Sequence, residues 1–484
     1  MHKSLWKIFK NLMAGVAQLV ELWIVIPVVE GSSPFARPSF FFYRRHQLSL
    51  RHCKLETSTH REIYVMVKKE IEGEWIHGWP DRKRPRPEVF KDAEGRVVSA
   101  RTPILELEGL ITPTDATHIV AQLQMPEPIH PEDYSFSIFG EVDSPRNFNL
   151  NEVRNLPGRT VRAVCECAGN DQDFFEYLEN SDNISKPSFE VSEDERTHWK
   201  HQVNTNRNAK PDADALFEAI PSTCHISGGE WTGVPLAELL NLVGIKSNSV
   251  AIRVEGWDEG RPDPTTVYRS ANRTDFEVFD PGIINYDKGL PLAKALHRDT
   301  LIAWAHNGEY LRHVFGAPLR LIVPGWAGNW WVKWIHKIEV MDHMPDCYHQ
   351  THYFVSGLSP DDPKKEMMTA LGVKSVILEP RDEPPLLKRE SYVIRGLAWS
   401  GEGAITRVEV SLDGGNTWSD AHVECSTDRW LWKRWSYLWK IEKTGNYQIM
   451  ARATDEKGRM QPQTEWNFQH KHFDGIVPED ITVI

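Results

Sequence analysis

The residues best placed to do chemistry cluster around position 167. In Arg159-Thr-Val-Arg-Ala-Val-Cys-Glu-Cys167 the residues alternate, which predicts a strand with Val161, Ala163, Cys165 and Cys167 on one face. Ala168-Gly169-Asn170 then closes the strand in a tight turn. A cysteine at a strand end beside glycine is well placed to reach a cofactor, because glycine lets the backbone approach closely. Pattern alone leaves a second reading open: free cysteines are among the most buried residues and pack as small apolar groups. Cys165, one pleat deeper, reads as core.

Two other constellations compete with it. His343-x-x-x-Cys347-x-His349-x-x-His352 has nitrogen and sulfur ligands at a spacing that suits zinc, provided four of them converge. Asp413-x-x-Asn416 offers two oxygen donors but lacks the other ligands of a calcium loop, so it reads as a turn. Six cysteines, at 53, 165, 167, 224, 347 and 425, form no CxxC pair and no CxxCH. Neither a zinc ribbon nor a covalently attached c-type haem is encoded.

Composition narrows the classes. The chain has 484 residues, 40% hydrophobic and 26% charged, ordinary for a globular protein of roughly three domains at ~150 residues each. Its formal net charge of −12 disfavours wrapping a nucleic-acid backbone, so no nucleic-acid partner is expected. Nineteen tryptophans imply large aromatic walls around a cavity or interface.

The elements that must position Cys167 begin after an unusual N-terminal stretch. Residues 1–65 are poorly patterned, and Glu21 and Pro27 interrupt their one apolar run, 13–29, so no membrane span is expected. GVAQLVEL followed by VVEGSSPFARP looks like a tRNA gene translated in the protein sense, so the natural start is expected at Met66. The expected location is then cytoplasmic, or periplasmic if an export signal is present. Residues 66–345 mix strands and helices: a strand at Tyr134–Gly140, a short helix at Asn149–Leu156, and a helix over Val234–Val243 stopped by Gly244. The polar segment Glu179–Asp214 reads as a surface excursion. Residues 346–390 form a linker and the start of a second body, which continues over 391–484. There, strand runs at Tyr392–Leu397, Ile405–Leu412 and Tyr447–Ala453, with a hairpin turn at Asp413-Gly414-Gly415-Asn416, predict an immunoglobulin-like β-sandwich. The expected fold class is α+β.

Six motifs in one order carry a resemblance. Glu166-Cys-Ala-Gly-Asn170 is followed by Glu230-Trp-Thr-Gly-Val-Pro-Leu236, Tyr286-Asp-Lys-Gly-Leu-Pro-Leu292 and Asn307-Gly308-Glu309. Gly316-Ala-Pro-Leu-Arg-Leu-Ile-Val-Pro-Gly325 and Val332-Lys-Trp334 complete the set. The chain resembles the sulfite oxidase family of molybdopterin-dependent oxidoreductases over about residues 105–470. Gly396-Leu-Ala-Trp-Ser-Gly401 and Val408–Trp418 look like the family's dimerisation domain, closest to the molybdenum subunit of sulfane dehydrogenases.

The resemblance implies a molybdenum–molybdopterin cofactor with Cys167 as metal ligand, since a soft thiolate suits a redox-active metal and is deprotonated by it. It implies that Arg320 and Lys333 hold the pterin phosphate and ring, with Asn170 and Asp258 as further cofactor contacts, and that Tyr286 is catalytic, its hydroxyl near the metal donating to an oxo ligand or substrate. It implies two-electron oxygen-atom transfer, a separate electron-transfer partner because no haem motif is present, and a homodimer. Three departures bear on the substrate. Gln172 stands where the family has an arginine, Ala121-Gln122-Leu123 replaces an Arg-Asn-His phrase, and Phe315 replaces a histidine. The guanidinium forks that match an oxyanion are therefore missing, and poor sulfite turnover is expected. A non-catalytic relative that kept the fold is the alternative.

Overall fold

Alternating runs build sheets throughout this chain, and proline and glycine between them cut the helices short. The computed structural model describes residues 97–107, 109–171, 175, 224–262, 279–359, 362–380, 385–386, 388–462 and 467–484, with the backbone of strands Ile24–Val28, Ser39–Tyr43 and Val89–Lys91. The chain divides into two units, Met1–Thr59 and His60–Ile484. In the first, Ile24–Val28 pairs antiparallel with Ser39–Tyr43. The expected excursion Glu179–Asp214 and the departure at Gln172 lie outside the described residues. Among the described residues no helix is long and apolar enough to cross a membrane.

The first body holds two five-stranded sheets. One runs Ile284–Pro291, Ala251–Gly260, Ile335–Met341, Ser135–Gly140, Arg146–Asn149, antiparallel except where Ile335–Met341 meets Ser135–Gly140. The other runs Glu309–Tyr310, Leu301–His306, Ile226–Pro235, Arg159–Glu166, with Arg320–Ile322 also paired to Leu301–His306. The expected mixture of strand and helix is corrected here: the body is mostly β. Among the described residues its α-helices are Leu150–Arg154, Leu236–Val243 and Leu292–Ala295. The middle one turns Leu236, Leu239, Leu240 and Val243 into the core, and Gly244 ends it at φ 69°, a conformation that costs a Cβ-bearing residue dearly. The first carries a capping box, Asn149 and Glu152 each satisfying the other's backbone amide.

The second body consists of two four-stranded antiparallel sheets. They run Lys374–Glu379, Ser391–Trp399, Lys433–Lys440, His422–Val423, and Ser419–Asp420, Ile405–Ser411, Gly445–Asp455, Glu479–Val483. Ile377, Ile394 and Trp435 of one sheet share a core with Val408, Ile449 and Ile481 of the other. Its first strand therefore lies within residues 346–390. The Asp413–Asn416 turn joins Ile405–Ser411 to the two-residue strand Ser419–Asp420, a shorter partner than the expected runs. Asp413 accepts from Thr417 N, Thr417 Oγ1 and Ser411 Oγ, so its carboxylate is spent on the turn.

Candidate functional site

The strand carrying Cys167 follows its alternation only halfway. Val161, Ala163 and Cys165 are buried and Arg162 is exposed, as the period of two demands. From Val164 onward both faces are buried, because the second body covers the other side: Val164 N donates to Trp430 O (2.9 Å), and Trp399 lies against Glu166. Cys167 itself leaves the strand half-buried, with its amide donating to His225 O at 2.8 Å. Gly169 N points at Cys167 Sγ at 3.4 Å, a donor that favours the charged form of the sulfur.

One cavity brings together Cys167, Asp258, Tyr286, Arg320 and Lys333, residues drawn from five separate strands and turns. Cys165, expected as core, is buried and also reaches this cavity. Burial pushes its thiol up to about 11. The short turn Gly328–Trp330 closes one side at close approach: a Cβ on Gly328 would lie 3.1 Å from Cys165 Sγ, tighter than ordinary packing.

Arg320 is the decisive charge. Its side chain is 8% exposed, and Nε and Nη1 donate to the Trp331 and Phe315 carbonyls at 3.3 Å, while Nη2 reaches Cys165 Sγ at 3.9 Å. The guanidinium packs over the Trp231 ring at 5.0 Å. Among the described residues no carboxylate forms an ion pair with it. A buried cation without a counter-ion is costly unless an anion joins it.

The neighbouring groups show the same deficit. Asp258 Oδ1 and both amide atoms of Asn329 are buried without hydrogen-bond partners among the described residues. Burial raises Asp258 and lowers Lys333, and each charge partly offsets the other's shift. Lys333 Nζ donates to Val120 O at 3.1 Å and sits 4.1 Å over the Trp334 ring. Tyr286 lines the cavity, but its single hydroxyl proton goes to Asn329 O at 2.7 Å, which corrects its expected place as a donor and leaves its oxygen as an acceptor. Behind it, Lys288 is buried with Nζ unbonded, 5.0 Å from the Trp330 ring and 4.8 Å from the Phe354 ring. Burial brings that amine down to about 7.

Asn170 does not join them. Its Oδ1 accepts from Cys224 N and His225 N, both at 3.0 Å, and Nδ2 donates to Glu166 Oε1 (2.8 Å) and Asp171 Oδ2 (3.0 Å). With every lone pair and proton committed, the side chain braces the Cys167 loop from behind, which corrects its expected place as a cofactor contact. The histidine–cysteine constellation does not converge either. His343 bonds Asp342, His349 lies 4.7 Å from the Tyr286 ring, and His352 stacks on Phe279, while Cys347 is buried apart. Among the described residues no group of three or more metal-binding side chains is assembled.

Sequence reasoning missed Asn329, Phe354 and His118 on the cavity wall, and Lys374 behind the loop. Asn329 directly precedes Trp330-Trp331-Val332-Lys333, and Lys374 is a lone charge at the head of the apolar run Val376-Ile-Leu378. Both signals were visible but had no address without the fold.

The comparisons with known proteins decide the family. The model of an oxidoreductase molybdopterin-binding domain matches residues 122–200 and 191–349, and that of a Mo-co oxidoreductase dimerisation domain matches 365–471. This chain belongs to the sulfite oxidase family of molybdopterin oxidoreductases. Mouse mitochondrial sulfite oxidase is 26% identical over 388 residues, covering 76% of this chain and 60% of that protein. Arabidopsis thaliana sulfite oxidase is 26% identical, covering 75% and 86%, and the tomato NADH nitrate reductase 27%, covering 74% and 37%. The chain thus spans less than two thirds of the mouse and tomato relatives. The crystal structure of the sulfane dehydrogenase SoxCD from Paracoccus pantotrophus shares the fold, with TM-score 0.59, 23% identity, and coverage of 91% of this chain and 96% of that one. The family's cofactor is molybdenum–molybdopterin, and the cavity fits it: a sulfur with an amide donor, a buried cation awaiting an anion, and orphaned Asp258 and Asn329 atoms at the walls.

Proposed function

We propose that the protein is a molybdopterin-dependent oxidoreductase that carries out two-electron oxygen-atom transfer on a small substrate. The observation that carries this reading is Arg320, a buried guanidinium that lines the same cavity as Cys167 and forms no ion pair with a carboxylate among the described residues. Cys167 would hold the metal through its sulfur, and Arg320 the pterin phosphate by charge-assisted donors. Lys333 and Asp258 would bind the ring system. When bound, the cofactor supplies a metal that exchanges an oxygen atom with substrate. Tyr286, pinned to Asn329 O, orients an acceptor oxygen toward the substrate side and seals that wall with Phe354.

The substrate side supports something other than a sulfite dianion. Gln122 lines the cavity beside Ile119 and Val120, where an arginine-bearing phrase would stand in a sulfite enzyme, and Phe315 is apolar. A neutral oxide, such as a sulfoxide acting as oxygen donor, suits a wall where Gln122 and Phe315 stand in place of guanidinium forks. The two sheets of the second body support an immunoglobulin-type sandwich, its match to a dimerisation domain supports a homodimer through it, and a separate electron carrier completes the cycle.

Steady-state assays with sulfite and with a neutral sulfoxide test the substrate. Preference for the neutral compound is expected, and efficient sulfite turnover overturns that part. Metal and pterin analysis tests the class. Absence of stoichiometric molybdenum in protein expressed with molybdate would leave the non-catalytic relative, which the missing arginines favour.

A further inference from the structure

The loop that bears Cys167 is held from behind by the second body at four points. Lys374 Nζ donates to Glu166 Oε1 (3.0 Å), to Asp171 Oδ2 and to Phe473 O (2.8 Å). Trp399 Nε1 donates to Glu166 Oε2 at 2.7 Å. His472 N donates to Ala168 O at 2.5 Å, and Val164 N to Trp430 O at 2.9 Å. Glu166 precedes the cysteine by one residue and Asp171 follows it by four, so one lysine bridges both ends of the loop. All three groups are out of water: Lys374 is 3% exposed, Glu166 5% and Asp171 1%. Charges at such burial interact far more strongly than at a surface.

From this geometry we infer that the second body is a working part of the Cys167 site within the same chain, with Lys374 and Trp399 as positioning residues. They fix the loop and offset the negative potential that Glu166 and Asp171 place at the sulfur. The matched description of that body mentions dimerisation only. The inference rests on the cofactor reading above. Partners of ligand-bearing segments of this kind change metal affinity by about 10- to 100-fold when removed.

The sign of the electrostatic effect makes it testable. Deleting the lysine charge leaves two carboxylates beside the ligand and makes the bound metal harder to reduce. Deleting a carboxylate does the opposite. The experiment measures bound molybdenum and its EPR-monitored midpoint potential in full-length wild type, Lys374→Met, Lys374→Arg, Trp399→Phe and Glu166→Gln. The expected result is a lower potential in Lys374→Met and Trp399→Phe, a higher one in Glu166→Gln, and a return toward wild type in Lys374→Arg. A purely structural role would lower occupancy in every variant without shifts of opposite sign.

If Lys374→Met does not fold, Trp399→Phe and Glu166→Gln decide the matter. Equal or same-sign shifts overturn the inference. Hydrogen exchange of residues 165–171 in cofactor-free protein gives a metal-independent check, with faster exchange expected in Lys374→Met or, failing that variant, Trp399→Phe. Should wild type bind no molybdenum, the cofactor reading fails and the inference with it. Should wild type bind it while the variants match its potential and exchange, only the inference fails.

Discussion

The two sides of the Cys167 loop are built on opposite rules. Behind the loop the side chains that brace it are matched: Asn170 makes four hydrogen bonds, and Glu166 accepts from Lys374, Asn170 and Trp399. In front of it Arg320 has no carboxylate, Asp258 Oδ1 and the Asn329 amide have no partner, and Lys288 Nζ is unbonded among the described residues. Buried polar groups in folded proteins are nearly always satisfied, so a cluster of exceptions on one side marks where a ligand belongs. The contrast separates residues that hold the site from residues that wait for what the site holds.

Substitutions on the two sides should therefore fail differently. The largest effect is expected from Cys167→Ser, which removes the soft ligand. Bound molybdenum and visible absorption should be lost while the fold, braced from behind, keeps its circular dichroism. Retention of metal would break the comparison at its centre. Next comes Arg320→Met. Cofactor occupancy should fall about 10-fold or more, while the melting temperature of cofactor-free protein rises or holds, because an uncompensated buried cation is removed. A paired arginine would give the reverse thermal result.

Lys288→Met tests the same wall through pH. The amine's folded value, near 7, lies below its ordinary 10.5, so its share of stability is present above the ordinary value. That share is lost as pH falls from there through the folded value. The variant should thus exceed wild type at pH 6 by up to about 5 kcal/mol, with the gap closing toward pH 10 in melts across that range. The smallest effect is expected behind the loop. Asn170→Ala strands two backbone amides and should cost about 1–3 kcal/mol in denaturant melts, with metal loss following from the loosened loop. If it left stability untouched and abolished only cofactor binding, Asn170 would belong to the front after all.

The grouping of these residues was legible in advance. Alternation before Cys167, the glycine turn after it, and the motif order pointed to Arg320, Lys333, Asp258 and Tyr286, and one cavity holds all of them with Cys167. Asn170 was misread because its motif neighbours a ligand, and adjacency in sequence does not say which way a side chain turns. The histidine spacing near 349 suited a metal, yet a short π-helix at His349–Tyr353 and separate neighbours spread those rings apart.

By itself the sequence determined the strand that runs up to Cys167 and the helix stop at Gly244. Those follow from local rules: a period of two and backbone freedom at glycine. Only the tertiary structure decided that Lys374 meets Glu166 across 208 positions, and that Arg320 is left without a carboxylate. Burial and pairing are properties of what folds against a residue, and no window of neighbouring letters contains them.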